Sequence, residues 1–447
     1  MLPVLLRNRT YRRLFQAQVI ALTGTGLATV ALGLLAHDIA GAAAGSVLGT
    51  ALAIKMVAYV LIAPVIGAVA DRLPRRALLV GADLIRAGAA FMLPFVDQVW
   101  QVYVLIFALQ AASAAFTPTF QAVIPQVLPD EDDYTRALSL SRLAYDLESL
   151  CSPALAAALL SVTTYNWLFT GTVAGFAGSA ALVLSVLLPR PVPSPPRAGG
   201  LHTRVAAGTR LFLAVPRLRA LLALDLVVAS AGAIVLVNTV VYVRDHLGRP
   251  AGDVAIALGA YGAGSMIVAL VLPGMLDKVP DRAVMLHGAL LTAVIFPGLT
   301  VITAAGAGAW RWPALLAVWA AFGAASSTVL TPAGRLIRRS AGPADRTELF
   351  AAQFSLTHGC WLLTYPLAGW LATAAGLQSA VLVLGAVACA SGVLAMRVWP
   401  ADDTGSVAHL HTGLGEGHPH VAGALPVPGG WRHEHDLVDD ALHTSAR

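Results

Sequence analysis

Long apolar runs alternate with short polar connections along most of this chain. Each run has about 20 residues, the length that an α-helix needs to cross the hydrocarbon core of a bilayer. Helices suit this position because they satisfy their own backbone polar groups without water. We therefore predict an all-α membrane protein with twelve transmembrane helices, at residues 14–36, 46–70, 77–96, 101–122, 137–162, 167–188, 219–243, 252–275, 283–304, 312–331, 348–373 and 377–398.

Two of the polar connections have related sequences. Residues 67–76 follow the second apolar run, and residues 276–282 follow the eighth. One fixed offset separates the members of three pairs, which are Asp71 and Asp277, Pro74 and Pro280, and Arg76 and Arg282. A constant offset across three residue types predicts an internal repeat with one such loop in each half.

The first loop resembles the signature loop of the major facilitator superfamily. Its pattern is Gly-x-x-x-Asp-Arg-x-x-Arg-Arg, with the fixed positions at Gly67, Asp71, Arg72, Arg75 and Arg76. Pro74 stands where that family usually has Gly. The resemblance covers roughly residues 7–400. It implies two six-helix bundles, a transporter rather than an enzyme, and a conformational switch at this loop, with Asp277 and Arg282 as its second copy.

Composition and charge fit the same class of protein. The chain is 57% hydrophobic and 12% charged, with a mean hydropathy of +0.73, whereas soluble proteins carry about 25% charged residues. Arginines cluster in the loops of one side, which indicates cytoplasmic termini in a bacterial inner membrane and not nucleic-acid binding. The three cysteines lie in apolar runs, which argues against a disulfide framework.

Proline and histidine divide the chain further. Residues 189–200 are too rich in proline for a helix, and residues 201–219 mix arginine with leucine in the manner of an amphipathic surface segment. We predict an N-terminal bundle at 1–188, a cytoplasmic linker with this segment at 189–218, a C-terminal bundle at 219–400 and a disordered histidine-rich cytoplasmic tail at 401–447.

Polar residues inside apolar runs are costly in lipid and are therefore candidates for function. Those that we assign to a proton or substrate pathway are Asp83, Arg86, Asp146, Glu148, Cys151, Asp225, Asn238, His358 and Cys360. Asp83 and Arg86 have the spacing of an ion pair on one helix face, and such a pair has either a structural or a transport role. Arg142 has the spacing to neutralise the charge of Asp146. Glu148 is then a better candidate than Asp146 for a proton or cation site. A structural role for Glu148, as a hydrogen-bond partner of a neighbouring helix, is equally compatible with the sequence.

A metal site between the two halves is one hypothesis. By the repeat, the eleventh span corresponds to the fifth, so Glu148, Cys151, His358 and Cys360 could face one central cavity. Carboxylate, imidazole and thiolate together suit a borderline transition metal. The alternative is that His358 bonds a neighbouring helix and that the cysteines only pack. The sequence leaves both open.

The tail carries repeated His-x-His pairs among acidic residues. Its candidate metal ligands are His409, His411, His418, His420, His433, His435 and His443. Neutral imidazoles in such pairs bind Ni²⁺, Cu²⁺, Co²⁺ or Zn²⁺. A major facilitator with such a tail resembles the nickel-resistance exporters of the NreB type, in the branch that also holds macrolide and enterobactin exporters.

Three functions remain open at this point. The resemblance implies proton-coupled efflux of a divalent metal, first Ni²⁺ and then Co²⁺, by a monomer that needs no cofactor besides the proton gradient. The alternative is a proton-coupled exporter of a drug or siderophore-like molecule with an incidental tail. The third is a non-transporting metal sensor. No Gly-x-x-x-x-Gly-Lys-Ser/Thr motif occurs in the sequence, which disfavours an ATP-driven pump.

Overall fold

The computed structural model describes residues 7–40, 44–69, 73–160, 162–189, 201–250, 252–340, 345–401, 406–411, 425–427 and 430–436. Twelve long helices coincide with the twelve predicted spans. The first six are α1 (Arg9–Ala40), α2 (Ala44–Val69), α3 (Arg75–Met92), α4 (Val99–Val127), α5 (Glu131–Leu160) and α6 (Tyr165–Leu184). After the connecting helix α7 (Leu201–Ala214) come α8 (Pro216–Val240), α9 (Gly252–Leu276), α10 (Asp281–Ala304), α11 (Arg311–Ser340), α12 (Arg346–Ala375) and α13 (Leu377–Val398). The predicted all-α fold is confirmed.

Nine helices in the described ranges are long and apolar enough to cross a membrane by length and composition alone. The three long helices outside that group are α2, whose apolar stretch among the described residues is Ala53–Ala68, and the more polar α5 and α12. Helix α5 begins with three acidic residues and carries Asp146 and Glu148 further along, and α12 carries Glu348 and His358. These interruptions fall on the helices that meet between the two halves of the protein.

The helices form two bundles, α1–α6 and α8–α13, each around its own apolar core. Helix α8 lies at the centre of the second core, with Leu221, Leu224 and Val227 fully buried. Helices α9 and α11 pack with their backbones in contact. A Cβ at Gly264 would lie 1.9 Å from the Ala320 carbonyl oxygen, which no other residue tolerates without a shift.

The predicted amphipathic segment is one helix and the start of another. Helix α7 ends at Ala214, and Pro216 begins α8. Proline favours the first position of a helix because it has no backbone N–H to leave unpaired. The last predicted residues of the segment, including Arg217 and Arg219, therefore belong to the first turn of α8.

The prediction of a disordered tail is wrong for three segments of it. Strands β1 (Ser406–His411), β2 (Leu425–Val427) and β3 (Gly430–Asp436) form an antiparallel sheet in the order β1-β3-β2. The register pairs His409 with His433. Composition alone indicated disorder, but residues 408–411 of β1, Ala-His-Leu-His, alternate apolar and polar side chains, a pattern that forms strands when a partner segment follows. His418, His420 and His443 lie outside the described residues.

Candidate transport pathway between the two bundles

The two bundles meet at the end of the molecule where α2 and α9 end and α3, α5, α10 and α12 begin. We call this end the basic face. A Cβ at Gly67 of α2 would lie 2.9 Å from the Ala351 side chain of α12. Arg75, at the start of α3, donates a hydrogen bond to the Thr347 hydroxyl at 3.5 Å and another to the Gln126 amide. The predicted switch loop therefore contacts the first turns of α12.

The structure describes only some of the other residues of the switch loop. Arg76 donates to the Leu184 carbonyl, a contact within the first bundle. Asp71 and Arg72 lie outside the described residues, so the role predicted for them stays a prediction. What the structure adds is that their neighbour Gly67 has no room for a side chain beside α12.

Ion pairs join the bundles at the same face. Arg335 and Arg339 of α11 both reach Glu131 of α5, with N–O distances of 2.8 and 2.7 Å. The same two arginines also pair with Asp281, which belongs to their own bundle, at 3.4 and 3.1 Å. One turn of α11 thus holds an acidic partner from each bundle.

The internal repeat predicted that Asp277 and Arg282 form the second copy of the switch loop. Both line a cavity of about 330 Å³ beside the arginine pair. The carboxylate that pairs with Arg335 and Arg339 is instead Asp281, one residue before Arg282. Sequence comparison missed it because the first loop has Arg75 at the equivalent position, a residue of opposite charge.

A polar contact crosses the interface midway along the helices. Arg142 pairs with Asp146 at 2.9 Å on α5, as their spacing predicted. Both side chains also contact Ser265 of α9, whose hydroxyl donates to Asp146 at 2.6 Å and accepts from Arg142 at 3.0 Å. Asp146 is therefore neutralised and fully hydrogen-bonded, which fits a structural link better than a proton carrier.

Aromatic side chains line the interface between α2 and α12 at a similar depth. Tyr59 packs against Phe354 and His358, with ring centroids 4.9 and 4.6 Å apart. The Tyr59 hydroxyl donates to the Gln110 side chain at 2.8 Å. Ser355, on the same side of α12, donates to the Val60 carbonyl at 2.6 Å. His358 therefore faces α2 of the other bundle, which is one of the two alternatives that the sequence left open.

Two charged groups accompany this aromatic cluster. The Lys55 ammonium lies 5.7 Å from the centroid of the Tyr59 ring. It also lies close enough to Glu148 for the two charges to attract each other. Lys55, Tyr59 and Gln110 were absent from the sequence-based candidates. A lysine inside an apolar run is as unusual as an aspartate, so the same rule would have found Lys55.

The predicted metal constellation is not assembled. Cys360 is buried on the opposite side of α12 from His358 and lies close to Asp225. This follows from helical geometry, since residues two apart point in different directions. The side chain of Cys151 lies outside the described residues. Within the described ranges, no group of three His, Cys, Asp or Glu residues could hold a metal ion.

Three other candidates are held inside single bundles. Asp83 and Arg86 form an ion pair in the first bundle, with the Arg86 guanidinium 4.3 Å from the centroid of the Phe116 ring. Asn238 donates to the Ala368 carbonyl at 3.5 Å between α8 and α12. These contacts stay within one bundle and give each side chain a polar partner, which favours the structural interpretation, although Asp83 Oδ2 and Arg86 Nε have no hydrogen-bond partner.

Asp225 is the remaining candidate and is 1% exposed, in the middle of α8. Its Oδ2 accepts hydrogen bonds from the Gln353 amide at 2.7 Å and from the Thr357 hydroxyl at 2.9 Å, both on α12. Its Oδ1 and the Gln353 Oε1 are buried without a hydrogen-bond partner. No basic residue of the described chain pairs with it.

Comparisons with known proteins agree with this architecture. The sequence profile of the Major Facilitator Superfamily matches residues 14–310 and 226–433. Macrolide efflux protein A of Enterococcus faecalis is 33% identical over 137 residues, 30% of this chain and 42% of the relative. The uncharacterized MFS-type transporter YfiS of Bacillus subtilis (strain 168) is 24% identical over 217 residues, 47% of this chain and 51% of the relative. The chain thus matches about half or less of the length of these relatives.

Solved structures share the fold at low identity. The human organic anion transporter MFSD10 (TETRAN) superposes with a TM-score of 0.74 at 13% identity, over 87% of this chain and 99% of the other. A bacterial homologue of the iron transporter ferroportin, in an outward-facing state, gives 0.70 at 14%, over 87% and 99%. With the profile covering most of the chain and the two-bundle fold in place, this protein belongs to the Major Facilitator Superfamily.

Proposed function

We propose that this protein exports a small organic molecule, one with a large apolar surface and a basic group, by alternating access driven by proton entry. The observation that carries the proposal is the cluster of Tyr59, Phe354 and His358 beside Glu148 at the centre of the interface between the bundles. Aromatic rings bind apolar surface and stack against cations, and a nearby carboxylate attracts a positive charge. The relative named macrolide efflux protein A supports an organic substrate.

The conformation fits one stage of such a cycle. The side-chain contacts described between the bundles lie at the basic face or midway along the helices. With the basic face in the cytoplasm, as its arginines favour, the bundles are closed on the cytoplasmic side. The chain then represents an outward-facing state, in which a transported molecule leaves the cell.

Metal efflux is a second candidate, and the tail is the observation that favours it. The register of β1 and β3 sets His409 opposite His433, with a further histidine two residues along in each strand. Such a segment could concentrate Ni²⁺ or Co²⁺ at the cytoplasmic side. The interface itself favours the organic substrate, since its described residues lack a set of three metal ligands.

A growth assay separates the two candidates. Cells that lack their own exporters would express the full chain, the Glu148→Gln variant or a chain that ends at Pro400. Growth would be measured against erythromycin, ethidium, Ni²⁺ and Co²⁺. We expect the full chain to raise tolerance to an organic compound at least fourfold, Glu148→Gln to lose that gain, and the truncated chain to keep it. Tolerance to Ni²⁺ or Co²⁺ alone, lost on truncation, would instead establish the second candidate.

A further inference from the structure

Four acidic residues lie well inside the long helices, and three of them have a basic partner. Asp83 pairs with Arg86, Asp146 pairs with Arg142, and Glu148 faces Lys55. A carboxylate beside a cation gains little by binding a proton, because the positive charge already stabilises its ionised form. Each of these three carboxylates therefore has a basic partner that compensates its charge in the conformation seen here.

Asp225 differs from the other three. It is almost completely buried, and its polar neighbours are neutral: the Gln353 amide, the Thr357 hydroxyl and the Cys360 thiol. An isolated buried carboxylate is so costly that such a group takes up a proton instead. Helix α8 packs against five other helices of its bundle, and no described arginine, lysine or histidine on them pairs with Asp225.

The hydrogen bonds around Asp225 indicate where that proton sits. The Gln353 amide N–H already donates to Oδ2, which leaves Oδ1 and the Gln353 Oε1 as two buried acceptors without a donor. Two acceptors cannot bond each other. A proton on Oδ1 would supply the missing donor, because the acid O–H could then donate to the Gln353 Oε1 while the amide N–H donates back to Oδ2. The acid and the amide would then form a ring of two hydrogen bonds between α8 and α12.

We propose that Asp225 is the carboxyl group that takes up and releases the coupling proton, and that the structure holds it protonated in this ring. The inference rests on the proposed proton-driven export and adds the site of coupling. In protonation a hydronium ion on the outer side gives up a proton, so one of its O–H bonds breaks and one O–H bond forms on Oδ1. In release this O–H bond breaks and the proton passes to a water molecule on the cytoplasmic side.

Helix α12 connects this site to the substrate. On one side it holds Gln353 and Thr357 against Asp225, and on another it holds Phe354, Ser355 and His358 against α2. Loss of the proton leaves a charge that the ring cannot satisfy, which loosens the contact between α8 and α12. The same helix then shifts its contacts with α2, where the Ser355 hydroxyl bonds the Val60 carbonyl. Gln353 is in this scheme a positioning residue.

Infrared difference spectroscopy of the full chain in lipid tests the protonation directly and needs no substrate. The sample would be titrated from acid to alkaline pH, in water and in heavy water. We expect a protonated carboxyl band that shifts in heavy water, is absent in Asp225→Asn and remains in Glu148→Gln. In Gln353→Leu the band should move, because its O–H loses the amide acceptor. A carboxyl band unchanged in Asp225→Asn, or no such band in the unaltered chain, would overturn the proposal.

Transport in proteoliposomes tests the coupling, with erythromycin or ethidium as the probe. Asp225→Asn keeps the size of the side chain and can donate to Gln353, so it imitates the protonated form. We expect the rate of transport driven by a pH gradient to be at least tenfold lower in this variant than in the unaltered chain. Its affinity for the probe should be unchanged. Normal pH-driven transport by this variant would refute the coupling role. If neither probe is transported by the unaltered chain, the proposed substrate class fails and the infrared result still decides the protonation.

A sodium ion is the competing occupant of these oxygens. Replacing K⁺ by Na⁺ at constant ionic strength and pH should leave the carboxyl band in place. A band that disappears as Na⁺ rises would show that Asp225 holds a metal cation, and would contradict its assignment as the proton carrier.

Discussion

The ion pairs across the basic face should favour the closed state measurably, and Glu131→Gln tests this. Glu131 forms ion pairs with both Arg335 and Arg339, and it lies on the opposite bundle. Its side chain is 34% exposed, so solvent screens part of the attraction. An exposed ion pair contributes about 0.2–1 kcal/mol. The Arg335 and Arg339 side chains are only 10% and 24% exposed, which limits the screening on their side of the contact. We therefore expect the two ion pairs together to contribute about 1–2 kcal/mol, the upper end of that range.

This energy applies to one conformation only. When the bundles separate at the basic face, Glu131 loses both arginines, while Asp281 keeps them because it lies in their own bundle. Removing the Glu131 charge should therefore shift the equilibrium between closed and open states about 5- to 30-fold toward opening, the factor that corresponds to ~1–2 kcal/mol.

Pulsed electron paramagnetic resonance can measure that shift. Spin labels would replace two exposed residues of the basic face, Ala77 on the first bundle and Lys278 on the second, in a chain without native cysteines. We expect Glu131→Gln to increase the population at the longer distance. Asp281→Asn is the matched control, since it removes the same charge from the same arginines without separating the bundles. An unchanged distance distribution in Glu131→Gln, or equal opening in Asp281→Asn, would refute the argument.

Three further predictions concern packing, the interface and the tail. Gly323→Ala places a Cβ 1.8 Å from the Tyr261 carbonyl oxygen, so the melting temperature of the protein in detergent should fall. An unchanged melting temperature would contradict the close packing of α9 and α11. Lys55→Met removes the charge beside Glu148 and should change the affinity for a cationic probe such as ethidium in a fluorescence titration, whereas equal affinity would place the binding site elsewhere. A peptide of residues 401–447 should bind Ni²⁺ in calorimetry at pH 7.5 and lose this binding as pH falls through ~6.5, because only neutral imidazole binds metal; pH-independent binding would exclude the histidines as ligands.

Much of the fold could be predicted because it depends on local pattern. The length of each apolar run sets the number of helices, and the backbone needs no partner outside its own helix. Pairs within one helix were also predictable, since spacings of three and four residues place side chains on one face. The ion pairs of Asp83 with Arg86 and of Asp146 with Arg142 follow from that rule.

Contacts between helices were decided by the tertiary structure alone. The sequence does not contain the angle, depth and rotation at which two helices pack, so it did not predict that Glu131 meets Arg335 or that Asp225 meets Gln353. The same limit explains the tail, where strands need a partner segment that composition does not reveal. The separation of His358 from Cys360 was by contrast already contained in the sequence, because a helix turns about 100° per residue and two residues two apart point in different directions. Only the packing of α12 decides that His358 meets Tyr59 and that Cys360 lies close to Asp225.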